Sequence, residues 1–178
     1  MTVARLVNIS EIRVAKSPTE LICLGLGSCV AVVLYDPKNK IGGLAHVMLP
    51  DSREVINLTK PGKFADTAIS CLLTKMQRKG AVLSLIHAKI FGGADMFALN
   101  HPACESIGAL NVKAVMKQLK HLGIPLFAKD TGGNTGRSIF FLNCASTFLI
   151  FVAVCTDPPS QYSALIFRGG GATLIALT

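Results

Sequence analysis

The run Val30-Ala31-Val32-Val33-Leu34-Tyr35 constrains this chain more than any other stretch. It is apolar throughout and rich in β-branched residues, the composition of a buried strand. Asp36-Pro37-Lys38-Asn39 follows and carries a turn signature. Ile41 to Met48 then reads as a second strand, closed by Pro50. Two such strands across a short loop predict a hairpin, which brings the start of the first near the end of the second.

The remaining chain builds around that hairpin. Val3 to Val14 reads as extended, with Val3, Ile9, Ile12 and Val14 as candidate core residues. Leu21 to Leu24 is a short buried strand, and Gly25-Leu26-Gly27-Ser28 a tight loop. Ala65, Ala68, Ile69, Leu72, Leu73 and Met76 recur at helical spacing, predicting a helix over 63–79 that stops at Gly80. Ala81 to Phe91 is expected as a strand. A second helix is expected over 107–122, with its apolar stripe on Ile107, Leu110, Ala114, Val115, Leu119 and Leu122 and its cap at Gly123. Strands follow at 125–129 and 138–142. Strands with two interspersed helices predict an α+β domain of mixed sheets covered by helices.

Charge vanishes toward the end. Between Ser138 and Thr178 only Asp157 and Arg168 are charged. Ile139 to Cys155 could be weighed as a membrane helix, but Asn143, Ser146 and Thr147 interrupt it, and two buried strands fit better. The expected organisation is a domain over 1–138 and an apolar extension over 139–178 packed on or continuing it.

Composition narrows the function classes. With 178 residues, 51% hydrophobic and 16% charged, the chain can bury a real core. Its formal charge of +8 suits an acidic partner. Aromatics are scarce and not interleaved with basic runs, so nucleic acid is not the expected partner. The N-terminal alternation of apolar and polar residues is unlike an export signal, so a cytoplasmic location with reduced thiols is expected, without stable membrane insertion. The six cysteines contain no CxxC pair, and His87, His101 and His121 lack ligand spacing, so no metal site and no cofactor are expected.

The chemistry then falls on Cys29. A nucleophilic cysteine needs an accessible thiolate, a base and oxyanion donors. The glycine-rich turn Gly25-Leu26-Gly27-Ser28 leaves peptide N–H groups free just before Cys29. The hairpin carries His46 toward it as a base. A cysteine among apolar residues is commonly inert core, and Gly25-x-Gly27 invites a dinucleotide-loop reading. The latter fails, because Val30 stands where a third glycine belongs and a strand follows instead of a helix.

Leu24-Gly25-Leu26-Gly27-Ser28-Cys29-Val30-Ala31-Val32 and Gly42-Gly43-Leu44-Ala45-His46-Val47-Met48-Leu49-Pro50 closely resemble the CheD family of chemoreceptor glutamine deamidases. Three further stretches resemble it in the same order: 61–66 (PGKFAD), 89–97 (KIFGGADMF), and 130–134 (DTGGN) with Gly136-Arg137. The resemblance implies hydrolysis of glutamine side chains to glutamate on methyl-accepting chemotaxis receptors. It implies a β-sandwich flanked by helices, the cysteine-hydrolase fold of some deamidating toxins, and the CheC phosphatase as a partner. It assigns Cys29 as nucleophile and His46 as base. The expected route runs through a thioester, with Gly25, Gly27 and Ser28 forming the oxyanion loop. Cys23 stands at the family's threonine position, and Leu110 where the family tends to carry arginine. The alternative is a catalytically weakened module that docks on receptors or on CheC. A thiol redox sensor using Cys23 and Cys29 is a further reading that no residue specifically favours.

Overall fold

The computed structural model describes residues 3–53, 59–96, 105–143, 148–155, 162–168 and 171–176, with side chains at 3–53, 59–96, 105–143 and 149–153. The elements run β1 (Val3–Leu6), β2 (Ile12–Lys16), β3 (Thr19–Leu26), β4 (Val30–Asp36), β5 (Ile41–Val47), α1 (Ala65–Arg78), β6 (His87–Gly92), α2 (Ile107–His121), β7 (Leu126–Thr131), β8 (Arg137–Asn143), β9 (Phe148–Cys155), β10 (Tyr162–Arg168) and β11 (Gly171–Ala176). They form a five-stranded sheet in the order β2-β5-β4-β6-β7 and a six-stranded sheet in the order β1-β3-β8-β9-β10-β11. This is an α+β fold, and the apolar C-terminal strands extend the second sheet antiparallel from β8.

β4 is buried along its whole length because both of its faces are covered. Val30, Val32 and Leu34 pack with Ala68, Ile69, Leu72 and Met76 of α1 and with Val115 and Leu119 of α2. The alternate residues Ala31, Val33 and Tyr35 pack with Leu21, Cys23, Ile139, Phe141, Ile150 and Val152 of the other sheet. Each such fully buried side chain contributes about 1.5–3 kcal/mol, so this one strand ties three layers together. Its hairpin partner β5 makes the same division with two glycines. A Cβ on Gly42 would lie 2.3 Å from the Phe141 ring, and one on Gly43 2.5 Å from Leu72. Bare backbone lets the opposite sheet and the helix close in on either side.

Four expectations are corrected. Leu24, expected in a buried strand, is 52% exposed, and β3 runs on through Gly25 and Leu26 of the expected loop, because the strand bulges between Cys23 and Leu26. Val3 and Ile9 are exposed, at 52% and 56%, while the neighbouring Val7 is buried. β1 is an edge strand paired only with β3, and Ile9 sits in the turn before β2, so neither reaches the core. The strand expected from Ala81 begins only at His87, because Leu83–Leu85 forms one 3-10 turn that returns the chain from α1 to the sheet. The stripe of α2 is rotated. Ile107 and Leu110 face solvent, and the buried residues are Gly108, Asn111, Val115 and Leu119. Their spacing is still helical, but a glycine and an asparagine hold two core positions.

Candidate active site

Ala31 pairs with His46, and Val30 with Val47. Cys29 lies two residues before Ala31, so strand alternation puts its side chain on the same face as that of His46, as a diagonal neighbour. That face is turned toward the second sheet. Cys23 approaches from there on β3, its Sγ 3.2 Å from His46 Nδ1. The imidazole, 2% exposed, thus sits between the sheets. A bulge between Cys23 and Leu26 sets this up. The two residues are three apart yet both fully buried in one core, which an unbroken strand would forbid. The extra residue is absorbed at Leu24 and Gly25, the latter at φ +67°, with its N–H on Ser138 Oγ at 3.3 Å.

The loop between β3 and β4 is held by its carbonyls. Those of Gly27 and Cys29 accept from the N–H groups of Ala94 and Gly93, at 2.9 and 2.8 Å. That of Ser28 accepts from Asn111 Nδ2 at 2.9 Å. A trans peptide points its N–H opposite its C=O, so the Ser28 and Cys29 N–H groups face away from these anchors. Among the described residues they donate to no acceptor. Such unspent donors beside a thiol are the raw material of an oxyanion hole.

Burial disfavours charge at Cys23, Cys29 and His46 alike. Burial, then the nearby Cys29 charge, pushes the Cys23 thiol up to about 12. Burial also raises the half-buried Cys29 thiol. Burial lowers His46, and the Val7 backbone carbonyl partly offsets this. His46 Nε2 is buried and makes no hydrogen bond of good geometry among the described residues. Among the described residues no hydrogen bond joins Cys29 to His46; catalytic hydrogen bonds commonly tighten only around substrate.

The three other motif stretches wrap this loop, a role sequence reasoning missed. Pro61–Lys63 forms a 3-10 turn whose Lys63 carbonyl accepts from the Met48 and Leu49 N–H groups, fixing the chain just past His46. The Gly92–Ala94 turn carries the donors to Gly27 and Cys29. Arg137 grips Asp130 through two hydrogen bonds of 3.0 and 3.1 Å and the Gly132 carbonyl at 2.9 Å. Gly132 N–H then meets the Gly92 carbonyl, and Asp95 N–H that of Gly133. Phe97 of the second stretch lies outside the described residues.

Buried titratable groups elsewhere on the sheet include His87 and Lys89. His87 stacks on Phe127 at 4.3 Å, consistent with a structural role. Lys89 is buried, and burial lowers it to about 8. His121 is exposed in the last turn of α2, and His101 lies outside the described residues. So do Cys104, Cys144 and the Cys155 side chain. Among the described residues no group of three or more His, Cys, Asp or Glu side chains is placed to hold a metal ion. None of their helices is long and apolar enough to cross a membrane.

Fold and site together define a two-sheet α+β protein with a cysteine and a histidine at the open end of a buried hairpin. The CheD family, described as CheD chemotactic sensory transduction, matches residues 48–150. The chain is 49% identical over 136 residues to a probable chemoreceptor glutamine deamidase CheD of Desulforamulus reducens, covering 76% of this chain and 82% of that protein. Proteins of the same description from Clostridium novyi and Clostridium botulinum are 49% and 48% identical over 136 residues, covering 76% of this chain and 84% of each relative. This chain belongs to the CheD family. Among solved structures it is similar to the Bacillus licheniformis hypothetical protein YfiH, with TM-score 0.47 and 18% identity, over 69% of this chain and 51% of that one.

Proposed function

We propose that this chain hydrolyses glutamine side-chain amides of chemoreceptors to glutamate and ammonia, with Cys29 as nucleophile and His46 as proton carrier. The observation that carries the reading is the placement of Cys29 and His46 on one face of the hairpin, beside N–H groups that donate to no acceptor among the described residues. The names of the relatives supply the substrate class.

His46 takes the Cys29 thiol proton as sulfur attacks the carboxamide carbon. The oxyanion rests on the Ser28 and Cys29 N–H groups, at the loop formed by Gly25, Gly27 and Ser28. Collapse breaks the C–N bond, and His46 returns its proton to the departing ammonia, leaving a thioester. Water then gives a proton to His46 and attacks the thioester, freeing glutamate and restoring the thiol. The same route would open a glutamyl methyl ester. Cys23 keeps its proton and can accept Nδ1–H only weakly, so it orients the imidazole less firmly than a hydroxyl would. The net charge of +8 suits a docking surface rich in glutamate. Action in the cytoplasm and regulation by a CheC phosphatase complete the proposal.

The second reading, a docking module without turnover, is favoured by the raised Cys29 thiol and the soft Cys23–His46 contact. The two separate when a receptor cytoplasmic fragment is incubated with wild type and with Cys29→Ala. Mass spectrometry is expected to find glutamine-to-glutamate conversion with wild type alone. Binding without conversion would leave the docking reading.

A further inference from the structure

Asn111 lies on α2, 83 residues from Ser28, and is fully buried. Its Nδ2 donates to the Ser28 carbonyl and to the Met48 carbonyl, both at 2.9 Å. Two carbonyls facing one side-chain atom require a donor with two hydrogens, which assigns that atom as the amide nitrogen. The isosteric aspartate would turn an oxygen on both, and leucine would leave both bare. Asn111 Oδ1 is itself buried without a donor among the described residues. The two acceptors are also not arbitrary. One belongs to the residue before Cys29, and the other lies two residues past His46.

We infer that Asn111 is a positioning residue that aims the Cys29 N–H at the reacting carbonyl oxygen. The Ser28 carbonyl and the Cys29 N–H belong to one planar unit. Fixing the carbonyl toward α2 turns the N–H the opposite way, to the side where Cys29 meets substrate. The Met48 bond anchors the same amide to the end of the His46 strand, so the donor, the nucleophile and the base share one frame. Asn111 touches no substrate. The inference rests on the proposed acyl chemistry at Cys29, but not on the receptor as substrate.

The test pairs two reactions of the same sulfur. Acylation by p-nitrophenyl acetate develops an oxyanion; alkylation by iodoacetamide does not. In Asn111→Ala and Asn111→Asp, the acylation kcat is expected to fall by about 10–100-fold with KM within about twofold, since a misaimed donor costs less than the roughly 100–1000-fold of a deleted one. Alkylation, followed by mass at the Cys29 peptide, is expected to hold within about twofold. Equal losses in both reactions, or unchanged acylation, would overturn the inference. Because acylation needs no receptor, a wild type that acylates but never deamidates refutes the substrate and leaves the Asn111 result standing. Should both variants fail to fold, the wild-type protein still decides. The two Asn111 side-chain amide protons are expected to exchange slowly and to shift when Cys29 is acylated. Exchange as fast as that of an exposed asparagine, or no shift, would refute the role.

Discussion

Replacing Gly108 with alanine should destabilise the protein, against the ordinary expectation for a helix interior. Gly→Ala in a helix interior gains about 1 kcal/mol from propensity, an upper bound for Gly108 in the first turn of α2. Here a Cβ would lie 2.5 Å from the Gly93 carbonyl oxygen and 2.6 Å from that of Ala94. Both atoms are backbone, and no rotamer relieves them. To reach ordinary contact the helix must retreat by roughly 0.9 Å in a close-packed interior. Overpacking of this kind costs about 1–3 kcal/mol. With atoms this unyielding the upper end applies, and after the propensity gain a net loss of about 1–2 kcal/mol remains. For a chain of this length that lowers Tm by roughly 2–8 °C. The same retreat strains the Gly93 and Ala94 donors that hold the Cys29 and Gly27 carbonyls, and carries Asn111 with it. Misplacement by about 1 Å can cost on the order of 100-fold in rate, so at least a tenfold drop in deamidation is expected. Thermal unfolding by circular dichroism and the receptor assay read both. An unchanged or raised Tm with full activity would refute the close-approach argument.

Cys23→Thr should raise kcat about threefold or more, since a hydroxyl accepts Nδ1–H better than a neutral thiol; a pH–rate profile no better than wild type counts against an orienting role. Arg137→Lys cannot reproduce the paired grip on Asp130 or reach the Gly132 carbonyl. A loss of about 1–3 kcal/mol is expected in denaturant titration, given the partial exposure of the pair; a loss within error would show that the loop holds without it. His46 and His87 are both lowered by burial from the usual 6.5. The unfolded chain therefore takes up protons first as pH falls. Their contribution is intact above 6.5 and is lost as pH drops through the lowered folded values. Tm should fall between about pH 7 and 5, above the range where carboxylates titrate, and less steeply in His87→Gln. A flat Tm over that interval would contradict the burial argument.

The hairpin was legible because Val30 to Tyr35 leaves no polar position, and a strand with no polar position must be covered on both faces. That paired the stretch with Ile41 to Met48 and set Cys29 near His46. Helix existence was equally legible from periodicity. Orientation was not. The buried stripe of α2 includes Gly108 and Asn111, one chosen for its lack of a side chain and the other for its two hydrogens, and neither registers as apolar. Val3 and Ile9 look like core by type, but an edge strand and a turn decide their exposure. Asn111 acts across 83 and 63 residues of sequence, and no local pattern points to it. The glycine-rich stretch from Gly25 to Ser28 was readable as a loop, but the bulge at Leu24 and Gly25 that turns Cys23 and Leu26 into one core depends on pairing with β8.

His46 stands where the two sheets touch, with one sulfur rooted in each. A hairpin formed without the second sheet would carry Cys29 and its proposed base without the contact from β3 that meets the ring. Reactivity at Cys29 should therefore depend on docking of the second sheet. Any sequence change that loosens the seam between the sheets, however far from the thiol, would reach the chemistry through that one ring.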